Sequence, residues 1–190
     1  MAAANRRKPR PPLDSETLGN VALRYVERFA TTRAKLGTYL ARKIRERGWA
    51  EQAAADIGGI VERFSAAGYV NDEAYAVAKS RSLSSRGYGA ARLRQSLRAA
   101  GVGEGDAAPA VEQAEQEAAD SAIRFARRRR IGPFAADQPD IKQRQKSLAA
   151  MIRAGHGFAL ARAIVAMAPG EEAALDALLD DGSLTCVESV

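Results

Sequence analysis

The chain has 190 residues, 46% apolar and 27% charged, enough for one core or several small ones in series. Its net charge of +6 and pI near 9.8 point to a polyanionic partner or an acidic protein surface. No apolar run reaches the roughly 20 residues of a membrane span, no apolar stretch follows the basic N-terminus as in a signal peptide, and Cys186 has no second thiol, which fits a reducing cytoplasm.

The opening residues set Arg6, Arg7, Lys8 and Arg10 among prolines without any apolar period, and predict a disordered basic arm over 1–14. Leu18, Val21, Ala22, Tyr25, Val26 and Phe29 then follow the spacing of one helix face. Thr31 and Thr32 are suited to cap a second helix with Leu36, Leu40 and Ile44 inward. Ile57, Ile60, Val61 and Phe64 predict a third helix ending near Gly68. A second unit opens at Asn71, with Asp72 and Glu73 in the first turn, where negative charge suits the helix dipole, and with Tyr75, Ala78 and Leu83 inward. Gly87-Tyr88-Gly89 breaks that helix, and 90–100 form the next. Pro109, placed in a first turn, predicts an acidic helix starting close to Ala108. The third unit carries Ala122, Ile123, Phe125 and Ala126, then Arg127, Arg128, Arg129 and Arg130. These four span a full turn, so that one is expected near the buried side. Helices over 141–154 and 158–168 follow, and Pro169-Gly170 stops the last.

A basic helical stretch ends in glycine at Gly48, Gly101 and Gly155, a period near fifty residues that marks a tandem array of small helical units. The boundaries fall at 15–69, 70–119 and 120–168, with an acidic tail over 169–190. Charge alternates along the chain: 123–168 is net +8, whereas 103–122 and 169–190 are each net −6. Stacked units would align Arg42, Lys43, Arg45 and Arg47 with Arg92, Arg94 and Arg98, and these with Lys142, Arg144, Lys146 and Arg153, as one stripe. Tyr88 either stacks on a partner or anchors its own turn.

Catalytic readings find little support. His156 is the only histidine and has no acidic neighbour, no Cys/His spacing suits a metal, and no phosphate-cradling glycine loop follows a strand. No cofactor is expected.

The phrases Gly68-Tyr69-Val70-Asn71-Asp72-Glu73-Ala74-Tyr75-Ala76, Ser85-Arg86-Gly87-Tyr88-Gly89 and Arg92-Leu93-Arg94-Gln95-Ser96-Leu97-Arg98 together resemble the core signature of the RecX family. Thr32-Arg33-Ala34-Lys35-Leu36 and the stretch Lys142 to Gly155 resemble its first- and third-unit phrases, while His156 stands where that family usually has an aromatic. The resemblance implies an all-α protein of three tandem three-helix repeats forming an elongated, curved array. It also implies a non-catalytic regulator of the RecA recombinase in recombinational DNA repair and the SOS response. Such a regulator binds the RecA–DNA filament and limits its extension, ATP hydrolysis and strand exchange. On this reading the contact residues are Arg42, Lys43, Arg86, Tyr88, Arg92, Arg94, Arg98, Arg127 to Arg130, Lys142, Arg144 and Lys146. DNA, single-stranded or duplex, is a weak and non-specific partner, there is no membrane partner, and the expected state is a cytoplasmic monomer. The residues alone leave two rivals. One is a helix-turn-helix-like DNA-binding protein acting without RecA, with Arg92, Arg94 and Arg98 on its recognition helix; the other is a helical adaptor of unrelated proteins.

Overall fold

The computed structural model describes residues 10–173 and 175, which fall into two compact units divided between Asp72 and Glu73. Among the described residues all regular structure is helical, apart from one isolated bridge between Leu13 and Trp49.

The first unit holds α1 (Ser15–Val26), α2 (Arg33–Arg47) and α3 (Ile57–Ala66). Each starts at a side-chain cap: Asp14 accepts from Thr17 N at 2.7 Å, Thr32 from Lys35 N at 3.2 Å, and Asp56 from Gly59 N at 2.8 Å. Such caps satisfy amide groups that the first helical turn leaves without partners. Leu18, Ala22, Leu36, Leu40, Ile60 and Val61 form the core, as their spacing requires.

Two residues depart from expectation. Leu13, assigned to the disordered arm, is fully buried in this core. Its amide donates to Gly48 O at 2.9 Å, its carbonyl accepts from Ala50 N at 2.8 Å, and Arg47 Nε and Nη2 hold Pro11 O at 3.0 and 2.8 Å. Burying a leucine contributes about 1.5–3 kcal/mol, enough to order the end of a polar arm. Residues 1–9 lie outside the described residues. Phe29, expected on the buried stripe of α1, is 56% exposed, because α1 ends at Val26 and the chain turns before completing that face.

Helix α4 (Asp72–Ser84) opens at the boundary. The Asp72 carboxylate, expected to serve its own helix's first turn, is buried and accepts from Arg33 N at 2.9 Å, with Arg33 Nε at 3.5 Å. It therefore caps the N-terminus of α2 alongside Thr32. Asp72→Ala is expected to cost roughly 1–2 kcal/mol, the value of a lost cap and a charge-assisted hydrogen bond. Comparing urea midpoints with the parent chain measures it.

The second unit continues with α5 (Ala90–Ala99), α6 (Glu104–Gln116), α7 (Ala118–Arg129), a single 3-10 turn (Gly132–Phe134), α8 (Ile141–Arg153) and α9 (Phe158–Ala166). It contains two apolar clusters, one built from α4–α6 around Leu93 and Leu97, the other from α7–α9 around Phe125, Met151 and Ile164. With the first unit, this gives three tandem three-helix repeats.

The inner face of α4 is Ala76, Ser80 and Leu83; Ala78, expected inward, is exposed. Serine lines this core because Ser80 Oγ donates to Ala110 O at 3.4 Å, which apolar spacing cannot reveal. Helix α6 starts at Glu104, not near Ala108, and Pro109 lies inside it. Glu104 and Asp106 in its first turn favour the earlier start. The proline removes only one amide donor, in the second turn. Arg127, Arg128, Arg129 and Arg130 are all exposed, so none lies at the buried side as expected. Helix α7 ends at Arg129, and Arg130 turns left-handed at φ 53°, so the run does not complete a helical turn. Ile152, read as inward, is 40% exposed, with Met151 taking the core position. Most of the acidic tail, including Leu178 and Leu179, lies outside the described residues.

Candidate functional site

The three stop glycines all have positive φ, at 86°, 71° and 96° for Gly48, Gly101 and Gly155. Gly155 does more than end α8. Ala154 O accepts from Gly89 N at 3.0 Å, and Gly155 O accepts from Ala91 N at 3.3 Å. Carbonyls at the C-terminus of α8 thus satisfy amides at the N-terminus of α5, which has no side-chain cap of its own. A β-carbon on Gly87 would lie 2.6 Å from Phe125 N, and one on Gly155 would lie 2.7 Å from Arg92 Cβ. The second and third repeats therefore meet backbone to backbone through glycine.

His156 completes this seam. It is buried, its ring lies 5.5 Å from that of Phe125, and Nε2 is 3.1 Å from Gly87 O. A carbonyl only accepts, so Nε2 carries the proton and donates. Nδ1 is buried without a hydrogen-bond partner among the described residues. Burial pushes the imidazole below its ordinary 6.5, against the opposing hydrogen bond to Gly87. The folded state thus binds this proton less readily than the unfolded chain. The histidine's contribution is intact above pH 6.5 and is lost as pH falls below it toward the folded value. We expect acidification in this window to cost up to about 1.4 kcal/mol per pH unit, and His156→Phe to remove that slope. Urea midpoints at about pH 7.5 and about pH 5.5 measure it.

Over this seam sits Tyr88, half-buried and packed against both apolar clusters of the unit. Arg86 and Arg128 lie 5.5 and 5.7 Å from its ring centre. Beside it a shallow cavity of about 380 Å³ runs between α4 and α5, lined by Lys79, Leu83, Arg86, Tyr88, Arg92, Gln95, Ser96 and Ala99. Three cations line it, Arg128 lies against the ring of the same tyrosine, and no carboxylate is among its lining residues. Arg86 Nε donates to Ser82 O at 2.9 Å and Arg92 Nη1 to Gln95 Oε1 at 2.6 Å, so both guanidinium groups are oriented by neutral acceptors.

The other expected residues lie apart from this groove. Arg94 and Arg98 turn to the opposite side of α5, lining a cavity of about 400 Å³ against α6, where Arg94 pairs with Glu115. The expected stripe is thus divided within its second repeat: a step of two residues, more than half a turn, sends Arg92 one way and Arg94 with Arg98 the other. Arg127 stacks over Phe134 at 4.9 Å and pairs with Glu172 at 3.5 Å. Arg129 and Arg130 are exposed, as are Lys142, Arg144 and Lys146 on the first turns of α8. In the first unit, Arg42 and Lys43 flank the Tyr39 ring and pair with Glu46 at 3.6 and 2.6 Å. The Lys43 hydrogen bond holds the Glu46 carboxyl below its ordinary range. Lys79 and Gln95 were not anticipated; Lys79, Leu83 and Arg86 follow i, i+4, i+7 spacing, which was the available signal.

Residues 71–111 match the family model for the second three-helix domain of RecX. The chain is 35% identical over 160 residues to the regulatory protein RecX of Myxococcus xanthus (strain DK1622), covering 78% of this chain and 83% of that one. A crystal structure of regulatory protein RecX superposes with a TM-score of 0.62 at 20% identity, over 79% of this chain and 72% of the other. That of RecX from Lactobacillus salivarius superposes at 0.56 and 17% identity, over 87% and 96%. At such identities the solved structures speak to the fold, which is the same helical-repeat fold. The length and level of the Myxococcus match carry the assignment further: the chain belongs to the RecX family.

Proposed function

We propose that the chain is a non-catalytic regulator of the RecA recombinase that binds the RecA–DNA filament and limits its extension, ATP hydrolysis and strand exchange. The observation that carries this reading is the groove beside Tyr88, lined by Lys79, Arg86 and Arg92 with no acidic residue, while Arg128 lies against the same tyrosine ring. Such a surface suits phosphates or surface carboxylates, which a protein–DNA filament presents at every repeat of its helix. Further exposed cations on α8 and at the end of α7 add contacts. Several weak contacts on one rigid unit hold a polymeric partner far more tightly than each alone. The chain acts as a monomer with weak, non-specific affinity for DNA.

The test is RecA ATPase activity on single-stranded DNA with this protein titrated in. The rate should fall with added protein, and more steeply at low salt. An unchanged rate overturns the proposal. Sequence-specific binding to duplex DNA without RecA would instead favour a helix-turn-helix regulator.

A further inference from the structure

The most basic and the most acidic stretches of this chain meet at the end of α7. After α9 the backbone turns back onto the third repeat: Gly170 N donates to Pro133 O at 2.9 Å, in the turn that follows α7. Ala168 N donates to Glu171 Oε2 at 2.8 Å, and Glu172 reaches Arg127 at 3.5 Å. Three residues further on, Leu175 is buried, only 4% exposed. These residues begin the segment 169–190, which carries six carboxylates and no cation. Beside them runs Arg127 to Arg130, four cations without a carboxylate. Arg129 and Arg130 are exposed with no ion pair among the described residues, and Arg128 lies against the Tyr88 ring beside the cationic groove.

We propose that the acidic segment 169–190 is an intramolecular competitor, occupying the arginines at the end of α7 until a polyanionic partner displaces it. Glu172 is the contact that starts it, and Asp176, Asp180 and Asp181 follow in sequence. Both side chains of the Arg127–Glu172 pair are more than half exposed, at 67% and 58%, so alone it contributes little. Tethering changes that. A linked segment faces its site at about millimolar effective concentration, enough to compete where the external contacts are themselves weak. Competition between exposed charges is strongest at low salt, because added ions screen them. A tail lying free in solvent would show neither the buried leucine nor the backbone hydrogen bond to Pro133. The consequence for RecA rests on the filament reading above; the fold-back rests on this geometry alone.

The experiment uses the full chain. A nitroxide on Cys186, the only thiol and one within the acidic segment, should broaden the amide resonances of Arg127 to Arg130 at low salt and release them at about 0.5 M salt. Glu172→Gln, Asp176→Asn, Asp180→Asn and Asp181→Asn together should abolish the broadening. That variant should also bind fluorescein-labelled heparin, without RecA, roughly three- to tenfold more tightly than the parent. The control adds the same charge elsewhere through Glu27→Gln, Glu62→Gln, Glu73→Gln and Glu112→Gln, all exposed, and should gain far less. Absence of broadening in the parent at low salt overturns the proposal, as does a control that tightens heparin binding as much as the tail variant. Neither readout involves RecA, so a parent chain that leaves RecA ATPase unchanged would remove the filament reading and not this one. Where the parent does suppress the ATPase, the tail variant should do so at correspondingly lower concentration; equal potency overturns the regulatory role.

Discussion

Gly155→Ala is expected to be strongly destabilising, lowering stability by roughly 2–5 kcal/mol. Two effects combine. At φ 96° a β-carbon is strained in any surroundings, which costs about 1–2 kcal/mol. That carbon would also overlap Arg92 N and lie 2.9 Å from Gly89 O, both backbone atoms that no rotamer change can move. Relief means separating α8 from α5, which breaks the hydrogen bonds from Gly89 and Ala91. Gly68→Ala is the control, because Gly68 has φ 77° yet a β-carbon there meets nothing within 4 Å. Urea unfolding followed by circular dichroism should show a shift at Gly155 well beyond that at Gly68. Equal shifts would mean that the seam contributes nothing.

The second large effect concerns the groove. Replacing Arg86, Arg92 and Arg128 together with glutamine should raise the concentration needed to suppress RecA ATPase by roughly ten- to hundredfold. All three are exposed, and the acceptors that orient Arg86 and Arg92 are neutral, so the variant should unfold at close to the parent's urea midpoint. Arg94→Gln with Arg98→Gln removes nearly as much charge from the other side of the same helix. If net charge alone governed binding, the two variants would behave alike. If the groove governs it, only the triple variant should lose activity. Parent-like suppression by the triple variant removes the groove from the mechanism.

The features legible in the sequence were those set locally. A left-handed stop can be read from glycine alone, so Gly48, Gly101 and Gly155 mark helix ends correctly. The spacing of Leu36 with Leu40, and of Leu93 with Leu97, gives their burial directly. Features that depend on a neighbour in space were not legible. Asp72 caps a helix that starts 39 residues earlier, and His156 reaches a carbonyl 69 residues away. Ala78 and Phe29 were judged on apolarity, but the first was displaced from its core by a hydrogen-bonded serine and the second lies beyond its helix's end. For the groove, Arg86, Tyr88 and Arg92 stood out as a sequence phrase. The arrival of Arg128 at the same tyrosine depends on how the third repeat sits against the second. A spacing-based alignment placed Arg92 with Arg94 and Arg98, although two residues along a helix turn a side chain through more than half a circle.

Tyr88 belongs to the hydrophobic interiors of two repeats at once, and α5 receives its end cap from α8. Neither repeat is therefore thermodynamically complete by itself. In an array with nearest-neighbour coupling, a strong interface term merges adjacent modules into one cooperative melting block. A truncation at residue 119, tidy by the repeat period, would strip amide acceptors from α5 and bare an aromatic ring. The smallest autonomous piece of the second unit is accordingly the pair. A ligand seated on Tyr88 would raise the melting temperature of both halves together.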